Sequence, residues 1–393
     1  GGTQAITILT LHGDCRAYEI YLGSVGTTQN QVENSPLFTT ASKKSALQRQ
    51  GCSPNVWSTR RCNFNLEFGG KKILLVGSHQ GKPDDYVIDC GQTFVNDDQA
   101  ATWWLNRRGM VFSHGETKET VVEGLTFTNC RTPGTSKYVN VGMGKLVLFN
   151  IISSSSFHDN GGCILGTNGS PTLKHLHLKN CRARSGGGMY FRSSEASLRN
   201  IQVTDATAWW GGGLGVLLSS LNMSDVSVTV NANTYSRHNS RCINFHGDRG
   251  TRWSGGNLLG CTFGDNFYIY RASSLAIYQD ECDQMKSPLS ISGVNISSGS
   301  AVGSLQSAVS VVSKCLDKTA VYFQNISLQG DTSSSSDFYL WRTKQTPDLQ
   351  TAAPTVPMVS FVDVHFNRGR RGGVDPPRVV SLPRGCDDVY RNM

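Results

Sequence analysis

A ten-residue pattern of apolar and polar positions returns along this chain. Val121-Val-Glu-Gly-Leu-Thr-Phe-Thr-Asn-Cys130, Thr172-Leu-Lys-His-Leu-His-Leu-Lys-Asn-Cys181 and Ser197-Leu-Arg-Asn-Ile-Gln-Val-Thr-Asp-Ala206 align without gaps. Each is apolar at its second, fifth and seventh positions and carries Asn or Asp at the ninth. Further copies start near 147 (Leu148, Ile151, then Ser153), 222 (Met223, Val226, Val228), 257 (Leu258, Cys261, Phe263), 290, 322 and 360. The first five starts are 25 or 26 residues apart, and the later steps are 32 to 38, as expected if loops are inserted between repeats.

The fifth and seventh positions share parity, so both side chains leave one face of a strand. The second has the opposite parity, so a bend must separate it from the pair. A strand, a bend and a second strand make one side of a flattened coil, and coils of this length stack into a solenoid. The expected internal column is Leu125, Ile151, Leu176, Ile201 and Val226. Asn129, Asn180 and Asp205 are expected at a turn, because Asn and Asp tolerate left-handed backbone. The next column, Cys130, Ser156, Cys181 and Ala206, is uniformly small, which argues for packing rather than disulfide bonding of its two cysteines. Gly161-Gly-Cys-Ile, Gly187-Gly-Met-Tyr and Gly212-Gly-Leu-Gly recur at about the same period and mark a tight corner before a short strand.

The predicted fold is therefore all-β, a right-handed parallel β-helix over residues 68–373. A disulfide-containing N-terminal cap (1–67, with strands at Thr7–Leu11 and Tyr18–Leu22) precedes it and covers its open end. A proline-bearing exit segment (374–393) follows. An antiparallel sandwich has no fixed period, and a propeller blade needs about 40–45 residues.

Composition narrows the function. Of 393 residues, 38% are hydrophobic and 17% charged, with 42 Gly, 16 Phe, 12 Tyr and 7 Trp, which is not a disordered composition. The net charge of +8 suits acidic polymers, but the densest basic cluster, Arg368, Arg370 and Arg371, is too short for a nucleic-acid tract. No run of 18 apolar residues exists, so no membrane span is expected. Twelve cysteines, from Cys15 to Cys386, include no CxxC pair and no zinc spacing. Such a set fits disulfides in an oxidising compartment. Four sequons, at Asn168, Asn222, Asn295 and Asn325, fit N-glycosylation, and Asn295 and Asn325 fall on outward positions of their repeats. Together these features predict a secreted, extracellular glycoprotein. The Gly-Gly-Thr start, without a signal peptide, is that expected of a mature protein or a fragment.

The repeats resemble the pectin-lyase-like β-helix superfamily, and most closely the polymorphic-membrane-protein type, which repeats Phe-x-x-Asn and Gly-Gly-Ala-Ile. Phe157-His-Asp-Asn160 runs into Gly161-Gly-Cys-Ile164, and Phe263-Gly-Asp-Asn266 is a second match. Val87-Ile-Asp-Cys-Gly91 and Val122-Glu-Gly-Leu-Thr-Phe127 match the way such proteins enter their helix. The resemblance covers residues 68–370 and departs from the family in placing Cys or Met where Ala follows Gly-Gly. It implies a surface or matrix protein, or else a polysaccharide lyase or glycoside hydrolase. The polygalacturonase signature is missing: Asp84-Asp85, Asp97-Asp98 and Asp387-Asp388 stand without its other elements and read as solvated turn residues.

One corner of the stack concentrates chemistry. His158 and Asp159, Arg182 and Arg184, and Trp209 and Trp210 follow the Asn column in successive copies. Coils stacked at ~4.8 Å would place them on one side. Guanidiniums pair with carboxylate or sulfate, and indoles stack on sugar rings. The corner is a candidate glycan-binding site, with His158, Asp159, Arg182 and Arg184 as weaker catalytic candidates. Trp103, Trp104, Arg107 and Arg108 repeat the chemistry. His175 and His177 read as surface residues. No metal or other cofactor is expected, except Ca²⁺ if the protein is a lyase, which needs a base and a cation. The expected function is that of an extracellular structural or adhesive protein. It would bind polysaccharide or other extracellular proteins and associate into filaments. The alternative is a lyase acting on a uronate-containing glycan.

Overall fold

The structure, a computed structural model, describes residues 7–11, 20–24, 66–77, 83–90, 108–132, 160–208, 210–229, 242–261, 272–298, 306–315, 318–330, 336–342, 358–368 and 379–381. Its strands form two sheets. The first has twelve strands in the order β2 (Ile20–Ser24), β1 (Thr7–Leu11), β4 (Ile73–Val76), β7 (Val121–Thr128), β9 (Thr172–Lys179), β11 (Ser197–Thr204), β13 (Asn222–Thr229), β15 (Arg252–Cys261), β17 (Leu289–Ser298), β19 (Val321–Gly330) and β21 (Val359–Arg368), with β5 (Val87–Asp89) also pairing β7. The second has ten, in the order β22 (Val379–Ser381), β20 (Ser336–Arg342), β18 (Gln306–Ser313), β16 (Ala272–Gln279), β14 (Ile243–His246), β12 (Leu214–Leu217), β10 (Met189–Arg192), β8 (Ile164–Thr167), β6 (Met110–Phe112) and β3 (Leu66–Glu67). From β6 onward the chain alternates between the sheets, and its neighbours in each sheet are parallel. Among the described residues only β1 and β2 pair antiparallel. The predicted strand at Thr7–Leu11 is β1, and β1 joins the first sheet through β4.

Register follows the hydrophobic pattern. The second positions Val122, Leu173, Leu198, Met223, Trp253, Ile291, Phe323 and Phe361 pair in series across the first sheet. The fifth positions Leu125, Leu176, Ile201 and Val226 and the seventh Phe127, Leu178, Val203 and Val228 do the same. Most of these side chains are completely buried in one continuous core shared with the second sheet. Each contributes about 1.5–3 kcal/mol of apolar burial.

The predicted bend falls at the fourth position. Gly124, His175, Asn200, Asp225, Gly255, Gly293, Asn325 and Asp363 occupy it, all with φ between 48° and 71°. Asn and Asp reach this left-handed region at low cost, and Gly at none. The ninth-position column is left-handed too, at Asn129, Asn180 and Asp205, and Asn180 Nδ2 donates to Asn129 Oδ1 at 2.8 Å. At the corner before the second sheet, Gly161, Gly186 and Gly211 carry positive φ. A Cβ on Gly186 would lie 2.0 Å from the Met189 carbonyl oxygen. The stacked set is thus Gly161, Gly186 and Gly211, one residue earlier in the second and third copies than the Gly-Gly alignment suggests.

Three expectations are corrected. First, β7 pairs directly with β9, so Leu125 lies against Leu176 and no copy starting at 147 intervenes between them. Leu148, Ile151 and Ser156 lie outside the described residues. The apparent copy at 147 mimicked the pattern within a 51-residue step between paired strands. Second, Asn222 pairs with Arg252, so the repeat assigned near 257 begins at 252. Leu258 is then its seventh position and Trp253 its second. Gly256 falls at the fifth, where a Cβ would lie 2.1 Å from the Val226 carbonyl oxygen, and the loss of an apolar fifth residue hid the register. The fully buried Trp253 indole supplies core volume and donates Nε1–H to the Gly255 carbonyl at 2.8 Å. Third, Cys130 and Cys181 are disulfide-bonded, to Cys90 and Cys163. The column argument compared only equivalent positions in equivalent repeats. Cys90 follows β5, an irregular neighbour of β7, and Cys163 lies across the interior at the start of the second sheet. A third disulfide joins Cys282 and Cys315.

Candidate functional site

The predicted corner is built by strand-like alternation past the left-handed Asn180. Cys181 and Ala183 are buried, while Arg182 and Arg184 are half-exposed. Arg182 bridges Arg131 on one side and Thr207 on the other, and Ser185 bridges Asn160 and Trp210. The Arg184 guanidinium carbon stands 5.9 Å from the centroid of the Trp210 ring, which is 46% exposed. The structure therefore brings together Arg182, Arg184 and Trp210 and adds Arg131, which sequence reasoning missed. The alignment of Cys130-Arg131 with Cys181-Arg182 was the signal for it. His158, Asp159, Trp209, Trp103, Trp104 and Arg107 lie outside the described residues.

Arg108 is not a surface ligand. It is 2% exposed, and its Nε and Nη2 donate to the carbonyls of Asn160 and Gly161 at 2.8–3.1 Å. It ties its own segment to the 160–161 backbone and so satisfies polar groups that burial takes out of water.

A second cluster was not anticipated. Strand β4 ends at Val76 opposite Glu123, and β5 starts at Val87 opposite Thr126. Residues 77–86 are thus an insertion at the bend, and their 3₁₀ turn Pro83–Asp85 packs on β7 and β9. Asp84 Oδ1 accepts hydrogen bonds from Thr126 Oγ1 at 2.8 Å and Lys179 Nζ at 2.9 Å, and lies 3.2 Å from His177 Nδ1. Thr204 Oγ1 is 3.4 Å from His177 Nε2. The Lys179 ammonium holds the Asp84 carboxyl below its ordinary pKa, and burial, aided by the Lys179 charge, pushes His177 below its ordinary value. The imidazole is therefore largely neutral at pH 7. Beside this cluster Pro83, His175, Leu176, Asn200 and Gln202 line a small hollow, with Asn200 Nδ2 2.9 Å from His175 Nδ1.

Two expectations change here. His177 is no simple surface residue, since its side chain is only 13% exposed. Asp84 is a turn residue, but it carries three polar contacts across two strands. The outward sixth and eighth positions of β9 indicated that His177 and Lys179 share a face. The insertion that delivers Asp84 had no signature in the repeat.

All four sequon asparagines are exposed. Asn222, Asn295 and Asn325 stand on β13, β17 and β19, and Asn168 follows β8 in left-handed conformation. Among the described residues no three His, Cys, Asp or Glu side chains group as metal ligands, and no helix is long and apolar enough to cross a membrane. No protein-family model, curated protein or solved structure matches the chain.

Proposed function

We propose that the chain is a secreted, glycosylated right-handed parallel β-helix of pectin-lyase-like architecture. In this reading it acts as an extracellular structural or adhesive protein and holds an acidic glycan on its corner. The observation that carries this is the Arg184 guanidinium beside the exposed Trp210 ring, next to the aligned Arg131 and Arg182. Such a corner offers an indole face to a sugar ring and cations to its carboxylates or sulfates. The alternation of the chain between two parallel sheets supports the solenoid, and the disulfides Cys90–Cys130, Cys163–Cys181 and Cys282–Cys315 among the described residues support an oxidising compartment. Isothermal titration with pectate, alginate and chondroitin oligosaccharides tests the reading. Arg184→Ala with Trp210→Ala should weaken binding at least tenfold, about 1.4 kcal/mol, and unchanged affinity removes the corner. Self-association belongs to the same reading. At the β21 edge Phe361 is 40% exposed, against 1% for Phe323 one strand earlier. Sedimentation of the wild type against Phe361→Asp tests it, and identical monomers in both remove it.

The Asp84–His177–Lys179 cluster favours one second reading, a uronate lyase. Neutral His177 would take the proton alpha to the uronate carboxylate while Lys179 offsets the developing charge. The C4–O bond would then break, and the departing glycosyl oxygen would leave as a hydroxyl after gaining a proton from water. Ultraviolet absorbance of the unsaturated product reads this reaction, and silence across the same panel removes it.

A further inference from the structure

We propose that a single acidic oligosaccharide lies along the strands β9 and β11, transverse to the direction in which strands stack. It would run from the hollow beside Pro83 to the Arg184–Trp210 pair. This rests on the glycan-binding reading above and adds to it an orientation and a second anchor.

Two adjacent passages of the chain supply the whole track. One contributes His175, Lys179 and Arg184, and the other Asn200, Gln202 and Trp210. They stay in register throughout: Gln202 faces His177, Thr204 faces Lys179, Thr207 bridges Arg182 and Trp210 bridges Ser185. The ends differ in chemistry. At the hollow, Asn200 Nδ2 lies 2.9 Å from His175 Nδ1, which leaves the Asn200 Oδ1 acceptor and the second imidazole nitrogen turned to the hollow's polar lining. With the exposed Gln202 amide they form alternating donors and acceptors that fit neighbouring sugar hydroxyls. At the corner the groups are guanidiniums and an indole, which fit a charged sugar. His175 and Lys179 are separated by ~13 Å at 3.3 Å per residue, and the corner extends the track further.

The surroundings favour this direction over the stacking axis. The turn carrying Pro83 and Asp84 stands over the outer faces of both β7 and β9, and its Asp84 carboxylate pairs with Lys179 on the track itself. On the β13 side the equivalent positions are Asp225, Ser227 and Thr229, which offer no cation. A polymer laid along the axis toward β13 would meet no cation at those positions.

Calorimetric titration with oligogalacturonates from dimer to octamer tests the proposal on the full chain. Variants are Arg184→Ala, Gln202→Ala and Ser227→Phe, all at outward positions and checked for wild-type circular dichroism. Arg184→Ala should weaken every length roughly tenfold. Gln202→Ala should weaken the long oligomers several-fold and leave the dimer unchanged, and Ser227→Phe should change nothing. If Gln202→Ala is silent at all lengths, or if Ser227→Phe weakens the long oligomers, the transverse track is wrong while the corner reading survives. If the wild type binds none of the series, both fall together.

Discussion

The strands from β9 to β13 and those from β15 to β21 share a buried face and a left-handed fourth position but differ in step length and outer face. The earlier set advances 25 residues per step, Thr172 to Ser197 to Asn222. The later set advances 30 to 38, through Arg252, Ser290, Tyr322 and Ser360. Outward positions in the earlier set carry Lys174, His177, Lys179, Arg199 and Gln202, and those in the later set carry Ser292, Asn295, Gln324 and Ser327. Two sequons fall on this later face. Inserting residues at a corner costs little, because loop-closure entropy grows only with the logarithm of length. Removing an inward residue costs far more, because a close-packed interior does not collapse to fill the gap. The interior therefore stays constant while the corners and the outer face diverge.

Five measurements break or sharpen that contrast. The largest effect is expected in the shared core. Ile201→Ala and Ile326→Ala should each cost about 2–5 kcal/mol in urea denaturation. A near-zero cost at Ile326 would mean that the later strands do not share the core of the earlier ones. Replacing Cys163 and Cys181 together by Ala should cost roughly 2–4 kcal/mol, through the unfolded chain it frees. An unchanged denaturation midpoint would contradict the bond. Gly186→Ala should cost about 2–3 kcal/mol, because φ is +63° and the new Cβ meets the Met189 carbonyl. Gly115→Ala, with φ +74° and open space around it, should cost only ~1 kcal/mol. Equal costs would show that backbone strain alone, not close approach, sets the corner.

The smallest effects are in pH dependence, and the two regions should respond with opposite sign. Burial pushes the Asp248 carboxyl above its ordinary pKa, although its Oδ1 accepts from the Gly250 and Thr251 amides. Its folded form holds a proton more tightly than the unfolded chain. Stability from this group is therefore full at acid pH and lost as pH rises through the folded value. His177 is depressed, so its contribution is present above its ordinary value near 6.5 and lost as pH falls through the folded one. Asp248→Asn should flatten the stability profile on the carboxylate side, and His177→Gln should flatten it below pH 6.5. Asp84→Asn removes the charge that raises His177, so the imidazole pKa measured by NMR should fall further. A rise would contradict the cluster.

Much of the fold was legible because its strands repeat. The second, fifth and seventh positions identified the buried side chains of β7, β9, β11 and β13, and the parity change located the bend. The register of β15 was not legible, because Gly256 and Trp253 exchange volume between two positions and the local pattern then matches the wrong frame. Arg182, Arg184 and Trp210 could be grouped from spacing alone. Asp84 could not be grouped with His177 and Lys179, because it arrives on an insertion 93 and 95 residues away in sequence.

The sequence by itself determined which side chains of β7, β9, β11 and β13 face inward and that their backbone turns left-handed at the ninth-position Asn and Asp column. Both are local consequences of parity and of residues that tolerate positive φ. Only the tertiary structure decided that β7 lies directly beside β9, which cysteines pair and which carboxylate meets which imidazole. Those contacts join positions that no period relates, and their geometry depends on how far each inserted segment reaches across the stack.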